Sequence, residues 1–384
     1  MLYRPFGKTG ENVSALGFGC MRLPVLGGER DKIDIPLATE MLHYAIDHGV
    51  NYVDTAWMYH GAAFEQPGNS EPFVGDALQG GYREKVLLAT KLPVFLVNSR
   101  ADMDRLLNIQ LERLKTDCID CYLLHGLNGK AWPKMHELKI LDFLVDAKAD
   151  GRIRYAGFSF HDERPEFMPI VDAFSWDFCQ IQYNYMDVNV QAGAAGLAYA
   201  ADKGLAVIVM EPLKGGRLAC APAAIQDLWD SAPVKRSPAD WALRFVWNDP
   251  RVSLLLSGMS AMDQVVTNVR AAEEAKVDSL TAEELQLIER VRQAYLARTV
   301  VDCTACRYCM PCPQNINIPG MFSGVNDAAL FDSLADERAG YQMMLGAGFS
   351  APVSACEDCG QCEDMCPQHL SVREELKKAA EILG

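Results

Sequence analysis

The chain has 384 residues, of which 49% are hydrophobic and 23% charged, enough to build one large domain or two smaller ones. Asp and Glu total 51 against 36 Lys and Arg, and the net charge of −15 argues against a nucleic-acid surface and against binding to anionic membranes. No run approaches the roughly 18 to 20 apolar residues of a membrane helix, and residues 1–5 lack a signal-peptide pattern, so we expect a cytoplasmic protein that does not enter membranes.

Predicted strands and helices alternate along the first 275 or so residues. Residues 2–13 are predicted to form a small hairpin that caps the bottom of the fold. Short apolar or β-branched runs then predict eight strands, at 15–18, 51–53, 86–90, 118–124, 153–157, 178–181, 206–210 and 252–256. Apolar residues with helical spacing lie between them, for example over 36–48 and 101–115.

Strands as apolar as these are buried on both faces, which favours a parallel sheet. Eight strand–helix units over this length fit a closed (β/α)₈ barrel better than an open sheet, and no Gly-x-Gly-x-x-Gly follows the first strand. The predicted fold class is therefore α/β, a TIM barrel. A helix that opens with a capping pattern at 279–284 ends near 297, so we assign 1–298 to the barrel and 299–384 to a small, mainly helical second domain.

The second domain holds eight of the 13 cysteines, in two short segments: Cys303, Cys306, Cys309 and Cys312, then Cys356, Cys359, Cys362 and Cys366. Such density in a cytoplasmic chain indicates metal rather than disulfides. The second segment has the C-x₂-C-x₂-C-x₃-C-P spacing of bacterial ferredoxins, and the first is one residue shorter before its last cysteine.

In ferredoxins with two clusters, the fourth cysteine of each run ligates the other cluster. By this logic Cys366 joins the first three cysteines of the first run, and Cys312 joins those of the second run, around two [4Fe–4S] clusters. A helical stretch at 326–344 separates the runs and a final helix is predicted at 372–382, which resembles the helical type of ferredoxin domain. A single cluster beside a degenerate first run, or zinc or disulfides, are the alternatives.

Four polar residues follow adjacent predicted strands of the barrel. Asp54 and Tyr59 follow the second strand, Lys91 ends the third, and His125 ends the fourth. Active sites of such barrels lie at the carboxyl ends of the strands. The sequence therefore brings a carboxylate, a phenol, an ammonium and an imidazole to one rim.

These four residues, together with Ser70-Glu71-x-x-x-Gly75, resemble the aldo-keto reductase superfamily. Further matches are Gly157-x-Ser159, Gln180-x-x-Tyr183-Asn184, the segment 211–216, and Gly258-x-Ser260 followed by Gln264 and Asn268. The resemblance covers residues 1 to about 275 and implies a bound nicotinamide cofactor, NADP(H) in preference to NAD. It implies these cofactor-binding residues: Ser159, Gln180, Asn184, Pro212, Leu213, Gly215, Gly216, Gly258, Ser260, Gln264 and Asn268.

The resemblance also implies catalytic roles for the four rim residues. A carbonyl that accepts hydride develops negative charge on its oxygen and needs a proton donor beside it. Tyr59 is that donor, and we expect Lys91 to lower its pKa from the ordinary value of about 10. Asp54 would hold Lys91 charged and oriented, and His125 would polarise the carbonyl.

A reductase barrel fused to a ferredoxin-like domain resembles a bacterial and archaeal group of oxidoreductases. Nicotinamide moves two electrons together, whereas an iron–sulfur cluster passes one. Three functions are therefore open: an NADP-dependent reductase of aldehydes or ketones, an iron–sulfur electron-transfer enzyme with a flavin or low-potential substrate at the barrel mouth, and a nucleotide-binding redox sensor without turnover. We expect a small carbonyl substrate and a redox protein as partners, and no nucleic acid.

Overall fold

The computed structural model describes residues 1–62 and 66–384, and the chain divides into two compact units. The first unit comprises Met1–Ala219 and Ala239–Ala282, and the second comprises Cys220–Pro238 and Glu283–Gly384. Each unit has an apolar core of its own. Across the described ranges, no helix has the length and apolar character needed to cross a membrane.

The first unit contains a short hairpin and a closed barrel of eight parallel strands within the described residues. The hairpin consists of β1 (Tyr3–Pro5) and β2 (Asn12–Ser14). The barrel strands are β3 (Leu16–Gly19), β4 (Tyr52–Asp54), β5 (Leu87–Leu92), β6 (Ile119–Leu127), β7 (Ile153–Phe160), β8 (Phe178–Gln182), β9 (Ala206–Met210) and β10 (Val252–Gly258). Each strand pairs with the next, and β10 closes on β3, which confirms the predicted TIM barrel.

Helices follow the strands around the barrel and make up most of the second unit. In chain order they are α1 (Ile35–Asp47), α2 (Ser70–Ala77), α3 (Arg100–Leu114), α4 (Ala131–Glu137), α5 (Ile140–Ala149), α6 (Arg164–Asp172), α7 (Gly193–Asp202), α8 (Ala223–Asp230), α9 (Pro238–Asn248), α10 (Met262–Ala272), α11 (Ala282–Leu296), α12 (Ile318–Phe331), α13 (Leu334–Gly346), α14 (Gln361–Asp364) and α15 (Val372–Leu383). Side-chain caps fix several starts. Asp34 accepts a hydrogen bond from the backbone N–H of Leu37 at the start of α1, and Ser99 and Asp102 form a capping box on α3.

The hairpin closes the amino-terminal end of the barrel, as predicted. Phe6, the residue after β1, is fully buried and belongs to the cluster that fills the barrel interior. Its ring centroid lies 5.4 Å from that of Phe178 and 6.1 Å from that of Tyr52. Both partners are the first residues of barrel strands. The interior is thus a packed core that ends at the carboxyl side, where polar residues begin.

The second unit has a core formed by α12, α13 and α15 together with the segments around the cysteines. The predicted helix at 326–344 is wrong as one continuous element. Asp332 adopts a left-handed conformation (φ 52°), which ends α12, and α13 begins two residues later.

Two segments that the sequence analysis assigned to the barrel, residues 220–238 and 283–298, belong to the second unit. This division therefore differs from the boundary placed after residue 298. Arg236 forms an ion pair of 2.5 Å with Glu284 at the start of α11. The ring of Tyr295 near the end of α11 lies 5.3 Å from that of Phe331 on α12. These contacts attach residues 220–238 to α11, and α11 to α12.

Arg4 ties the hairpin to the last turns of the barrel. Its buried guanidinium donates hydrogen bonds to the carbonyl oxygens of Trp247, Val252 and Ala275. We expect Arg4→Met to lower the free energy of unfolding by about 3 kcal/mol, because buried acceptors lose their donor. Urea unfolding measures this, and Lys8→Met, which removes an exposed donor from the same hairpin, is the control. Equal stability of the two variants would contradict the assignment.

Candidate active site

The alternation of side chains along the barrel strands places the candidate residues. Tyr52 and Ala89 belong to the cluster that fills the barrel interior. Asp54 on β4 and Lys91 on β5 lie two residues farther along and share that inward face, because side chains of a strand repeat every second residue. His125 continues the inward row of β6 in the same way. The three side chains therefore meet at the carboxyl end of the barrel.

The Lys91 ammonium is surrounded by oxygen atoms. Its Nζ donates to Oδ1 of Asp54 at 2.5 Å, to the carbonyl oxygen of Thr55 at 2.8 Å and to the hydroxyl of Tyr59 at 3.2 Å. Lys91 is only 1% and Asp54 only 2% exposed, so each charge depends on the other. Burial lowers the pKa of Lys91, but Asp54 and Tyr59 outweigh it and the net shift is upward. Lys91 is therefore protonated at neutral pH.

Tyr59 also keeps its proton at neutral pH. Burial raises the pKa of the phenol, and this exceeds the lowering caused by Lys91, while the Asp54 charge adds to the rise. The expectation that Lys91 sets a net lowering is therefore wrong. The reason is that Asp54 offsets much of the ammonium charge, while the phenolate would lose its hydration. A neutral phenol is the form that can donate a proton.

His125 faces Tyr59, with the two ring centroids 6.1 Å apart and the planes at 84°. Burial lowers the pKa of His125 to about 3, and the charges of Lys91 and His161 act in the same direction. The imidazole is therefore neutral at physiological pH and carries one N–H donor. Its Nδ1 has no hydrogen-bond partner in the described part of the chain.

A cavity of about 290 Å³ opens at this end of the barrel, and all four rim residues line it. Seven of the eleven predicted cofactor-binding residues line it as well: Ser159, Gln180, Pro212, Leu213, Gly215, Gly216 and Gly258. Gly215 and Gly216 have φ of 69° and 97°, a backbone conformation that residues other than glycine rarely adopt. They leave the backbone of this loop bare toward the cavity.

The other four predicted cofactor-binding residues, Asn184, Ser260, Gln264 and Asn268, are not among the residues that line this cavity in the described structure. Gln264 accepts a hydrogen bond from the backbone N–H of Ser260 at 2.9 Å, and Asn268 donates to Ser257 at 3.1 Å. Their hydrogen bonds run within the protein. Direct contact of these four residues with a cofactor stays a prediction.

Asn184 instead supports the glycine loop. Its Nδ2 donates to the carbonyl oxygen of Glu211 at 3.0 Å. Lys214, in the same loop, forms an ion pair of 2.9 Å with Asp187, and Asp187 also accepts a hydrogen bond from Asn184. The segment 211–216 is thus fastened to the residues that follow β8.

Four charged or titratable residues line the cavity without having been assigned a role from the sequence: Arg22, Arg30, His161 and Glu211. The stem of Arg22 lies 3.2–3.3 Å from the position that a Cβ would take at Gly258, and one guanidinium nitrogen lies 3.2 Å from the corresponding position at Gly215. Arg22, His161 and Glu211 each lie within three residues of a strand end. That position was the signal available in the sequence.

The cysteines of the second unit surround two cavities. The larger, about 240 Å³, is lined by Cys312, Cys356, Cys359 and Cys362. The smaller, about 20 Å³, is lined by Cys303, Cys306, Cys309 and Cys366. Cys309 also borders the larger cavity. The smaller cavity thus has three cysteines of the first run and one of the second, and the larger has three of the second run and two of the first. This mixing of the runs fits the exchange that the ferredoxin spacing predicts.

The thiols are spread around these cavities instead of converging on one point. Within residues 1–62 and 66–384, no three His, Cys, Asp or Glu side chains are grouped as ligands of a single metal ion. None of the 13 cysteines, all within the described residues, forms a disulfide. Four cysteines around a central space suit a polynuclear cluster.

Comparison with known proteins also finds two regions, with a boundary between residues 293 and 302. The model of the aldo/keto reductase family matches residues 15–293, and that of a 4Fe-4S dicluster domain matches residues 302–370. The chain is 27% identical over 353 residues to the protein tas of Escherichia coli K12, covering 77% of this chain and 99% of that protein. It is 29% identical over 229 residues to a 6-dehydroglucose reductase of Novosphingobium aromaticivorans, covering 58% and 72%.

Among solved structures, the holo form of the aldo-keto reductase AKR11C1 from Bacillus halodurans superposes with a TM-score of 0.62. It is 28% identical in sequence, and the match covers 76% of this chain and 96% of that one. The similarity therefore extends over nearly the whole of a barrel enzyme.

The neutral state of His125 has a consequence for stability. Its pKa is lower in the folded chain (about 3) than in an unfolded one (about 6.5), so the unfolded state binds the proton first as pH falls. Above pH 6.5 His125 is neutral in both states. Below pH 6.5 protonation of the unfolded chain lowers the free energy of unfolding by about 1 kcal/mol per pH unit. Urea unfolding at pH 7 and pH 5 should show a smaller loss in His125→Gln than in the wild type. Identical losses would contradict the assignment.

Proposed function

Because the chain belongs to the aldo/keto reductase family and carries a 4Fe-4S dicluster domain, we propose that it reduces the carbonyl group of an aldehyde or ketone with NADPH, and that Tyr59 donates the proton. The observation that carries the proposal is the Lys91 ammonium, held 2.5 Å from Asp54 and 3.2 Å from the Tyr59 hydroxyl on the wall of the barrel cavity. The similarity to a protein named a reductase of 6-dehydroglucose supports reduction over the sensor alternative.

The cavity suits a nicotinamide dinucleotide. The Oε1 atom of Gln180 is buried and has no hydrogen-bond partner among the described residues, so it would accept an N–H of a carboxamide. The bare backbone at Gly215 and Gly216 would receive phosphate groups. The Arg22 guanidinium beside this loop would add positive charge for the diphosphate that NADPH and NADH share.

Each of the four rim residues has its own role in the proposed reduction. The nicotinamide, when bound, supplies a hydride to the carbonyl carbon. As charge develops on the carbonyl oxygen, Tyr59 passes its hydroxyl proton to that oxygen. The Lys91 ammonium, 3.2 Å away, offsets the negative charge left on the phenol, and Asp54 keeps Lys91 charged and in place. Neutral His125 donates a hydrogen bond to the same oxygen.

In the second unit, we propose two [4Fe–4S] clusters with exchanged fourth ligands. Cys303, Cys306, Cys309 and Cys366 would hold one cluster, and Cys312, Cys356, Cys359 and Cys362 the other. The grouping of these two sets around separate cavities supports the proposal. Cys309 borders both cavities, so the two cluster sites would be neighbours. Such clusters exchange single electrons with a donor or acceptor protein.

Tyr59→Phe tests the proton donor. It removes the hydroxyl while leaving the ring, and we expect kcat for NADPH-dependent aldehyde reduction to fall by roughly 100-fold or more. Tyr199→Phe, which removes a hydroxyl bonded to Asp172 on the outside of the barrel, is the matched control and should keep wild-type activity. A Tyr59→Phe enzyme that retains full kcat would contradict the assignment.

Cys366→Ala and Cys312→Ala test the exchanged ligands. Each should lose about half of the iron bound by anaerobically reconstituted protein, because each removes a ligand of one cluster only. Cys220→Ala, which alters an exposed cysteine outside both cavities, should keep all of it. Full iron content in either of the first two variants would exclude the proposed ligand sets.

A further inference from the structure

Glu71, in the first turn of α2, is a carboxylate with no exposure to solvent. Its Oε1 accepts hydrogen bonds from the Thr90 hydroxyl and from Nε2 of Gln110, both at 2.7 Å. Its Oε2 forms an ion pair of 2.8 Å with Nε of Arg113. Both oxygens are therefore used, and none of these partners touches the reacting groups directly.

The first branch of this network leads to Lys91. Thr90 is the residue before Lys91 on β5. Gln110 donates a second hydrogen bond, of 2.9 Å, to the backbone carbonyl oxygen of Lys91 itself. The position of Gln110 is fixed in turn by the Tyr122 hydroxyl, which donates to its Oε1 at 2.8 Å. Glu71 thus holds the end of β5 at the point from which the ammonium extends.

The second branch leads to Tyr59. Arg113 donates a hydrogen bond to the carbonyl oxygen of Gly68. The backbone N–H of Gly68 donates to the carbonyl oxygen of Trp57 at 2.7 Å, and that of Ser70, the residue before Glu71, donates to the carbonyl oxygen of Tyr59 at 3.2 Å. The segment that carries the phenol is therefore held on both sides of Tyr59.

The packing of α2 brings the two branches together. A Cβ at Gly75 would lie 2.5 Å from the carbonyl oxygen of Arg113, so only glycine allows α2 to approach the end of α3 this closely. This close approach brings Arg113 to Glu71. The Ser70-Glu71-x-x-x-Gly75 pattern thus joins two backbone segments around one buried anion.

We propose that Glu71 is a positioning residue, whose carboxylate sets the separation between the Lys91 ammonium and the Tyr59 phenol by holding both backbones. The inference depends on the proposed carbonyl reduction. Lys91 stabilises the phenolate of Tyr59 most strongly at short range, so loosening either branch weakens that stabilisation. The groups that face Tyr59 are Lys91 on β5, Asp54 on β4, His125 on β6 and the Cys20 thiol after β3, and Glu71 acts on the first of these.

The chain provides a matched comparison at the opposite end of the barrel. Asp120, at the start of β6, is also a buried carboxylate, and it forms ion pairs with Arg83 at 2.7 Å and with Arg154 at 2.9 Å. It accepts a backbone hydrogen bond from Leu88, at the amino end of β5. Asp120→Asn therefore removes a similar buried anion from the same strands without touching the carboxyl end.

The experiment compares Glu71→Gln with Asp120→Asn in the full-length protein, with NADPH and an aldehyde. We expect Glu71→Gln to lower kcat by roughly 10- to 100-fold with little change in KM, because the reacting groups are displaced rather than the binding surface. The pKa of Tyr59 should rise when Lys91 moves away. The reverse reaction, alcohol oxidation, needs the phenolate as base, so the ascending limb of its pH profile should move to higher pH. Asp120→Asn should leave the limb and kcat of the folded enzyme unchanged.

Arg113→Lys is the second variant, because it keeps the charge but cannot donate to Glu71 and Gly68 in the same geometry. It should reproduce the shift of the pH limb to a smaller degree, even if Glu71→Gln does not fold. An unmoved limb in the folded variants of this network, or an equal effect of Asp120→Asn, would overturn the inference. A wild-type protein without carbonyl reductase activity would instead refute the proposed function, so the two failures are distinguishable.

Discussion

A buried ammonium group organises the candidate active site. Lys91 is almost inaccessible to solvent, and a charge in that position is tolerated only with anionic and polar oxygen atoms around it. Those oxygens come from the end of β4, from the following backbone and from the Tyr59 loop. The need to satisfy one cation therefore fixes the segment 54–59 against the end of β5. The barrel provides the rigid frame, since neighbouring strands end at the same rim and point alternate residues inward.

In the second unit, the groups brought together from distant parts of the chain are cysteines. One cysteine run precedes α12 and the other follows α13, and both runs pack against the apolar core of that unit. Cysteines of both runs line each of the two cavities. In the proposed function the barrel moves electrons in pairs and the clusters move them singly. The four rim residues lie in the first compact unit, and the eight clustered cysteines lie in the second.

Periodicity made the fold predictable, because apolar strands that alternate with amphipathic helices indicate a parallel barrel. The rim residues were predictable from their places at strand ends together with the family resemblance. The backbone conformation of single residues was not predictable, and neither was the net shift of a pKa on which burial and nearby charges act in opposite directions. Helical spacing continues through the left-handed Asp332, which divides one predicted helix into two. The shift of the Tyr59 pKa depends on how much solvent its loop excludes, and a motif does not contain that information. The hydrogen bond from Asn184 to the carbonyl oxygen of Glu211 was likewise not contained in the motif.

The most direct test of the central claim is to follow the transferred hydrogen. Protein with intact clusters would be given NADPH in which both hydrogens at C4 of the nicotinamide are deuterium, together with an aldehyde that it reduces. The product alcohol would be examined by mass spectrometry and NMR. The account predicts one deuterium on the carbinol carbon, because hydride passes directly to a carbonyl held beside Tyr59 and His125. An alcohol that carries only solvent hydrogen at this carbon, formed while NADPH is consumed, would show that electrons travel by another route and would contradict it.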